Sequence, residues 1–207
     1  MVLAKHTCAD ILNVYSFFAE NEISIRALAL KSGPNERPAD NFILSEKEIT
    51  EALCALFDEN FKRGMPIRID PLSGYFESIL LKMCGLKSKI FDRRLDGDSV
   101  IIVNTGGDLY MRRDAYEPEK SFGIIGDING SFLSNGAYLQ SLETDDNLRK
   151  RFCLNCNHMG SCTTTPILED NIDRTERHCA IAKEVMDHIE STRSEEHTSE
   201  LQSPVRS

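Results

Sequence analysis

The stretch RFCLNCNHMGSC, residues 151–162, contains three of the four cysteines that decide the fold of this chain. Cys153 and Cys156 form a C-x2-C pair, Cys162 follows after five residues, and Cys179 follows after sixteen more. Four thiolates that converge on one point are the ligand set of a [4Fe–4S] cluster or of a structural zinc ion. The spacing therefore predicts one metal site formed by Cys153, Cys156, Cys162 and Cys179.

The spacing alone leaves other uses of these thiols open. Zinc sites more often use two short knuckles, and Cys162 and Cys179 form no second C-x-x-C, which favours the cluster. A thioredoxin-type redox pair needs a helix N-terminus inside a βαβ unit, and that context is missing around the C-x2-C pair. His158 and His178 flank the cysteines, and we expect both to be exposed bystanders.

Composition restricts the class of protein. The 207 residues carry a formal net charge of −9, which argues against a nucleic-acid surface. The basic run at residues 149–151 is best interpreted as a solvated helix end. No apolar run is long enough to cross a bilayer, and the N-terminus lacks the features of a secretory signal. Seven cysteines without such a signal indicate a reducing compartment, so we expect a cytoplasmic protein.

The first half alternates between strand and helix patterns. Apolar runs predict strands at Val2–Ala4, Ile23–Leu30 and Ile67–Ile69, and striped helices separate them. This order implies a parallel sheet with right-handed crossovers. The start of the first helix resembles a capping box of Thr7 and Asp10.

The second helix has stronger boundary signals. Ser45 and Glu48 form a capping box at its start, and Gly64 is a plausible C′ residue at its end. After Cys84 the pattern changes: Ser99–Val103 and Leu109–Met111 predict a β-hairpin around four turn residues. A last amphipathic stripe follows the cysteines at Ala182, Val185, Met186 and Ile189.

Three motifs together resemble those of a known protein family. VNTGGDLYMRRD (103–114), FGIIGDINGSF (122–132) and CLNCNHMGSC (153–162), with a later lone cysteine, resemble the SPASM domain of radical S-adenosylmethionine (AdoMet) enzymes that modify peptides and proteins. LSEKEITEALCALFDENFKRG (44–64) followed by PIRIDPL (66–72) resembles the last βα units of the radical AdoMet barrel.

The resemblance implies an α/β fold in two parts. Residues 1–83 would be the C-terminal fragment of a (β/α)6 partial TIM-type barrel, open at its first strand. Residues 84–192 would be a small SPASM-like α+β iron–sulfur domain. Arg26 and Lys5 would lie on barrel strands, where we favour ordinary salt bridges over contact with AdoMet or a peptide. Tyr110 and Arg112 would either line the interface with the barrel or pack within the hairpin.

Two departures from the family pattern limit the function. The radical-generating motif C-x3-C-x2-C is absent, so we expect the chain to be part of a longer enzyme and inactive alone. The pattern also expects cysteines where this chain has Arg112 and Pro166. In relatives with two auxiliary clusters, those two cysteines help to bind one cluster, and the four retained cysteines bind the other. The resemblance thus implies one auxiliary [4Fe–4S] cluster here, with AdoMet and a second cluster only in the full-length enzyme.

Two functions from different classes follow from these observations. In the first, the chain is the C-terminal portion of a radical AdoMet enzyme that acts on a ribosomally made precursor peptide or protein. An electron donor protein would be a further partner, and neither nucleic acid nor membrane is expected. In the second, it is a non-catalytic four-cysteine module that binds zinc or an iron–sulfur cluster. An upstream reading frame that contains C-x3-C-x2-C would favour the first.

The tail is predicted to have a different origin from the rest of the chain. RSEEHTSELQS, residues 193–203, looks like the in-frame translation of a sequencing-library adapter. The alternative is a natural disordered tail of the same composition. We therefore expect residues 193–207 to be an artefact and to be disordered, because so few apolar groups cannot offset the entropy of ordering.

Overall fold

The computed structural model describes residues 1–30, 42–86, 101–110, 121–126, 135–159, 161–162 and 172–201. It divides into two compact units, the first formed by Met1–Leu86 with the chain from Ala180 onward, and the second by Lys87–Cys179. The predicted limits of 84–192 placed the whole last helix with the cysteines. In the structure that helix belongs to the first unit from Ala180 onward.

The first unit contains short parallel strands. Strand β1 (Val2–Leu3) pairs with β3 (Leu28–Ala29), and β2 (Ile25–Arg26) pairs with β4 (Ile69–Asp70). Both pairs are parallel, which confirms the predicted direction of the strands. The predicted strand at residues 23–30 is divided into β2 and β3, and the predicted strand at 67–69 is shifted toward Asp70.

Backbone hydrogen bonds explain this division of the middle segment. The Ala27 N–H donates to the Asp70 carbonyl at 2.8 Å, whereas the Leu28 N–H donates to the Met1 carbonyl at 3.1 Å. Successive residues of a strand direct their N–H groups to opposite sides. The segment therefore contacts β4 through its first half and β1 through its second half.

The first helices differ from the prediction at one end. A short helix α1 (Lys5–Cys8) precedes α2 (Ile11–Glu20). The predicted capping box of Thr7 and Asp10 is wrong: the Asp10 side chain makes no cap hydrogen bond. The Thr7 hydroxyl instead accepts from the Ala4 N–H at 2.8 Å, because Thr7 lies inside the first turn of α1.

Helix α3 (Glu46–Lys62) has the predicted ends. The Ser45 N–H donates to Glu48 Oε2 at 2.7 Å and the Glu48 N–H donates to Ser45 Oγ at 3.3 Å, which confirms the capping box. At the other end, the Gly64 N–H donates to the Phe61 carbonyl and the Met65 N–H donates to the Asn60 carbonyl. These bonds form a Schellman motif with Gly64 at φ +78°, which confirms it as the C′ residue.

Helices α2, α3, α4 (Leu72–Met83) and the part of α6 (Ile172–Leu201) that belongs to this unit form its core together with the strands. Asn60 of α3 is buried and connects this helix to α2 and to the segment before β4: Tyr15 Oη donates to Asn60 Oδ1 at 3.0 Å, and Asn60 Nδ2 donates to the Ile67 carbonyl at 3.1 Å. The core residues are Leu3, Ile11, Tyr15, Leu56, Phe57, Ile69, Leu72, Ile79, Val185, Met186 and Ile189.

Helix α6 contacts this core through the predicted stripe. Ala182, Val185, Met186 and Ile189 are all buried, which confirms the stripe. On its flanks, His188 Nε2 lies 2.7 Å from Asp58 Oδ1 and Lys82 Nζ lies 3.1 Å from Glu190 Oε1.

The backbone of α6 is helical through Leu201, although the composition of residues 193–207 predicts disorder. Extending a formed helix adds one hydrogen bond per residue fixed, whereas starting a helix is the costly step. No helix among the described residues is long and apolar enough to cross a membrane.

The second unit begins with the predicted hairpin. Strands β5 (Ile102–Val103) and β6 (Leu109–Tyr110) pair antiparallel, while Ser99 and Met111, at the predicted outer ends, lie outside the described residues. The turn is organised by Asn104, whose Oδ1 accepts from the Gly106 N–H at 2.8 Å and the Asp108 N–H at 2.9 Å. This side-chain role of Asn104 was not predicted.

A small core connects the hairpin to helix α5 (Gly136–Cys153). Leu109 exchanges backbone hydrogen bonds with residues 122 and 123, and the ring of Phe122 packs against Tyr138 with centroids 5.8 Å apart. Asn135 precedes α5, donates to the Phe122 carbonyl at 2.7 Å and accepts from the Tyr138 N–H at 3.3 Å. Helix α5 is thereby fixed to the hairpin, and its last residue is the first predicted ligand.

Candidate metal centre

Two consecutive turns fold the segment that carries the first three cysteines, here called the ligand loop (residues 153–162). Cys153 ends α5, and the Cys156 N–H donates back to its carbonyl at 3.0 Å. The Met159 N–H donates to the Cys156 carbonyl at 3.0 Å, and the Cys162 N–H donates to the His158 carbonyl at 2.9 Å. These bonds reverse the chain between each cysteine and the next, so the three ligand positions lie around one short loop.

The fourth cysteine lies in α6 and belongs to the same unit as the other three. Burial raises the pKa of the Cys179 thiol, and the nearby thiols of Cys153, Cys162 and Cys156 raise it further, to about 11. A Coulombic effect of this kind requires short separations in a partly buried setting. The Cys179 thiol therefore lies near the thiols of the other three predicted ligands, and each of the four is half-buried.

A raised thiol pKa has a direct consequence for metal binding. Only the thiolate is a metal ligand, and at neutral pH a thiol with a pKa near 11 retains its proton. Metal uptake at Cys179 would therefore release a proton, and uptake becomes easier as the pH rises.

Two polar side chains of the ligand loop are buried, and its two large apolar side chains are exposed. His158 is 1% exposed and Ser161 is 4% exposed, whereas Leu154 is 59% exposed and Met159 is 47% exposed. The expectation that His158 is exposed is therefore wrong. That His158 is not a ligand stays a prediction. His178, in contrast, is exposed as expected.

The three remaining cysteines belong to the first unit. Cys8 and Cys54 are half-buried and Cys84 is exposed. Burial raises the pKa of Cys54 to about 11, with further contributions from Asp58 and Glu184. Their positions in the first unit make them controls for experiments on the four candidate ligands.

The other predicted positions have ordinary structural surroundings. Lys5 is the first residue of α1 and not part of a strand, which corrects the placement of this residue. Arg26 lies in β2, in register with Asp70. Tyr110 is buried in the hairpin, and its Oη lies 3.5 Å from Asn104 Nδ2. Arg112 and Pro166 lie outside the described residues.

Comparisons with known proteins identify the fold. No protein-family model matches the chain, and no curated protein matches it. Solved structures of anSMEcpe, a radical AdoMet maturase with a SPASM domain, do match it. Native anSMEcpe with bound AdoMet has a TM-score of 0.65 at 21% identity, over 97% of this chain and 57% of that chain.

Two further matches are complexes of the same protein. AnSMEcpe with AdoMet and the Cp18Cys peptide has a TM-score of 0.67 at 20% identity, over 97% of this chain and 57% of that chain. The complex with the Kp18Cys peptide has a TM-score of 0.63 at 21% identity, over 90% and 53% of the two chains. The present chain spans about half the length of these structures. Over that length its mixed α/β fold is similar to that of anSMEcpe.

Proposed function

We propose that this chain is the C-terminal portion of a radical AdoMet enzyme that modifies a ribosomally made peptide or protein. It contributes one auxiliary [4Fe–4S] cluster and part of the substrate-side wall of the barrel. The observation that carries the proposal is the gathering of four thiols within a fold shared with a protein solved with AdoMet and a peptide. Neither feature alone would distinguish this function from a metal-binding interaction module.

The residues at the candidate centre fit an iron–sulfur cluster. Cys153, Cys156, Cys162 and Cys179 supply four half-buried thiols, which is the ligand number of a [4Fe–4S] cluster. When bound, such a cluster supplies a one-electron redox centre and a covalent cross-link among four positions of the chain. The protein's own contribution is to hold the ligand loop and α6 together around it and to limit the access of water.

The sequence supports one cluster in this chain and not two. Arg112 and Pro166 occupy the positions where the family pattern has cysteines for a second auxiliary cluster, and neither side chain contains sulfur. The radical-generating cluster and AdoMet would belong to the full-length enzyme, because no C-x3-C-x2-C motif is present. A precursor peptide and an electron donor protein are the proposed partners, and the cytoplasm is the proposed location.

The metal assignment is tested by anaerobic reconstitution of the chain and of single cysteine variants. We expect about four iron per chain in the unsubstituted protein. Cys156→Ser and Cys179→Ser should each lose most of this iron and the visible absorption of the cluster. The matched controls are Cys54→Ser, also half-buried, and Cys84→Ser, which should both retain it. Stoichiometric zinc that iron does not displace would contradict the proposal.

The enzyme assignment needs a separate experiment. The chain alone should form no 5′-deoxyadenosine from AdoMet under reducing conditions, and an extended chain with the upstream reading frame should form it. Formation of 5′-deoxyadenosine by the present chain, above a control without the four cysteines, would refute the proposal that the radical-generating cluster lies outside this chain.

The origin of the tail is tested by sequencing the locus with a different library chemistry, since adapter-derived codons for residues 193–207 would disappear.

A further inference from the structure

The strands of the first unit have one buried face and one exposed face, because successive side chains of a strand point to opposite sides. The side chains on the first face are buried, and they belong to Leu3, Ile25, Ala27, Ile67 and Ile69. The side chains on the second face, here called the open face, are exposed or half-buried, and they belong to Val2, Arg26, Leu28, Arg68 and Asp70. The buried face contributes to the core of the unit, so only the open face can meet another molecule.

The register of the strands places the side chains of the open face next to each other. Val2 is paired with Leu28, and Arg26 is paired with Asp70. Paired residues of neighbouring strands lie on the same face, about 5 Å apart, and residues two positions apart along one strand also share a face. The open face therefore has an apolar part, formed by Val2 and Leu28, directly beside a charged part.

The charged part of the open face has two cations and one carboxylate. Arg68 Nε donates to Asp70 Oδ1 at 2.9 Å, so the carboxylate already has a partner. The Arg26 guanidinium, although its residue is in register with Asp70, has no hydrogen-bond or ion-pair partner in the part of the chain that the structure describes. The salt bridge expected for Arg26 is thus not formed there. One positive charge remains uncompensated on this face, in a chain whose net charge is −9.

The guanidinium group of Arg26 is suited to a carboxylate partner. Its charge does not titrate at physiological pH, and its planar fork can donate two parallel hydrogen bonds to the two oxygens of a carboxylate. An exposed ion pair of this kind is weak by itself. Because Val2 and Leu28 offer apolar contact at the next position, the open face favours a ligand that has both a carboxylate and an apolar group.

An extended peptide has a spacing that matches the open face. Its side chains at positions i and i+2 lie on one side, about 6.6 Å apart, and Arg26 and Leu28 are separated by the same two positions. We propose that the open face binds an extended peptide segment whose acidic side chain pairs with Arg26 and whose apolar side chain, two positions away, packs on Leu28 and Val2. This inference names a substrate class and rests on the proposed function, because the peptide would be the substrate of the full-length enzyme.

The test is a titration of the anaerobically reconstituted full chain with the capped tripeptide acetyl-Asp-Ala-Leu-amide. The readout is the Nε–Hε nuclear magnetic resonance signal of Arg26, assigned by its loss in Arg26→Gln. We expect a saturable shift, and binding about fivefold weaker for acetyl-Asn-Ala-Leu-amide, which lacks only the charge. The signal of Arg63, an exposed arginine that Glu59 already binds at 2.7 Å, should not move.

Two variants separate the site from a general effect of charge, with the affinity measured from the peptide signals. Arg26→Gln should weaken the binding of the acidic peptide about fivefold, whereas Lys47→Gln, which removes the same charge from an exposed position on α3, should leave it unchanged. Leu28→Ala should reduce the preference for acetyl-Asp-Ala-Leu-amide over acetyl-Asp-Ala-Ala-amide. Equal effects of Arg26→Gln and Lys47→Gln would overturn the proposal.

The peptide comparison in the unsubstituted chain does not depend on the folding of any variant. Equal binding of the Asp and Asn peptides would overturn the proposal. A shift of the Arg26 signal with AdoMet alone, and none with the acidic peptide, would also overturn it, in favour of a contact with the cofactor. The iron count separates this result from a failure of the proposed function: without bound iron the proposed function fails, and with four iron but no peptide response only this inference fails.

Discussion

The raised pKa of Cys179 predicts a slow reaction with disulfide reagents in the metal-free protein. Against a free cysteine with a pKa of about 8.5, a pKa of about 11 lowers the thiolate fraction at pH 8 by about 200-fold. A more basic thiolate is intrinsically about tenfold more nucleophilic over this interval, so the net expectation is a rate roughly 20-fold lower. Partial burial of the thiol would slow the reaction further.

The assay is mass-spectrometric quantification of the Cys179 peptide after timed exposure of the metal-free chain to a small aromatic disulfide under anaerobic conditions. The rate should rise about tenfold per pH unit up to pH 10, because the thiol is still mainly protonated there, whereas the rate of a thiol with a pKa of about 8.5 levels off above pH 9. Substitution of Cys153, Cys156 and Cys162 by serine should increase the rate, since it removes the neighbouring thiols that raise the pKa. Burial, the larger cause, remains, so the increase should be partial.

The matched control replaces Cys8, Cys54 and Cys84 by serine and should leave the Cys179 rate unchanged. A rate that levels off between pH 9 and pH 10 in the unsubstituted chain would show that the pKa of Cys179 is not raised. An unchanged rate after loss of the three ligand-loop cysteines would show that the four thiols do not lie together. Either result would refute the geometry on which the metal proposal depends.

Three further predictions concern the first unit and the tail, with chemical denaturation as the assay for stability. Asn60→Ala leaves the Tyr15 hydroxyl and the Ile67 carbonyl without their partner, so it should lower the free energy of unfolding by about 2–5 kcal/mol. Tyr15→Phe should lower it by about 1 kcal/mol, and equal losses in the two variants would contradict the bridging role of Asn60. In Gly64→Ala the added Cβ would have no atom within 4 Å, so only the positive φ of this residue opposes the substitution. We expect the free energy of unfolding to fall by about 1 kcal/mol, and an unchanged value would contradict the assignment of Gly64 as the C′ residue. Ending the chain at Thr192 should leave both stability and iron content unchanged, and a loss of either would show that the tail is part of the fold.

Short sequence patterns correctly predicted the helix ends that are fixed by neighbouring residues. The α3 capping box and the C′ glycine Gly64 are set by residues within a few positions of each other, so the sequence alone located them. The parallel direction of the strands followed from the order of the elements. The Thr7 box failed because the same hydroxyl had a closer backbone partner at Ala4, and an extra helical turn formed there.

The interior of the ligand loop could not be predicted in the same way. The cysteine spacing located the candidate ligands, but nothing in the sequence around His158 distinguishes a buried histidine from an exposed one. Its burial depends on two turns whose hydrogen bonds join residues three and four positions apart.

Native mass spectrometry of the anaerobically reconstituted chain tests the central claim most directly, because one spectrum reports both the identity and the number of bound groups. The account predicts a single dominant species that carries four iron and four sulfide, and the loss of this adduct in Cys179→Ser but not in Cys84→Ser. A dominant species with one zinc ion, or a cluster that persists in Cys179→Ser, would contradict it.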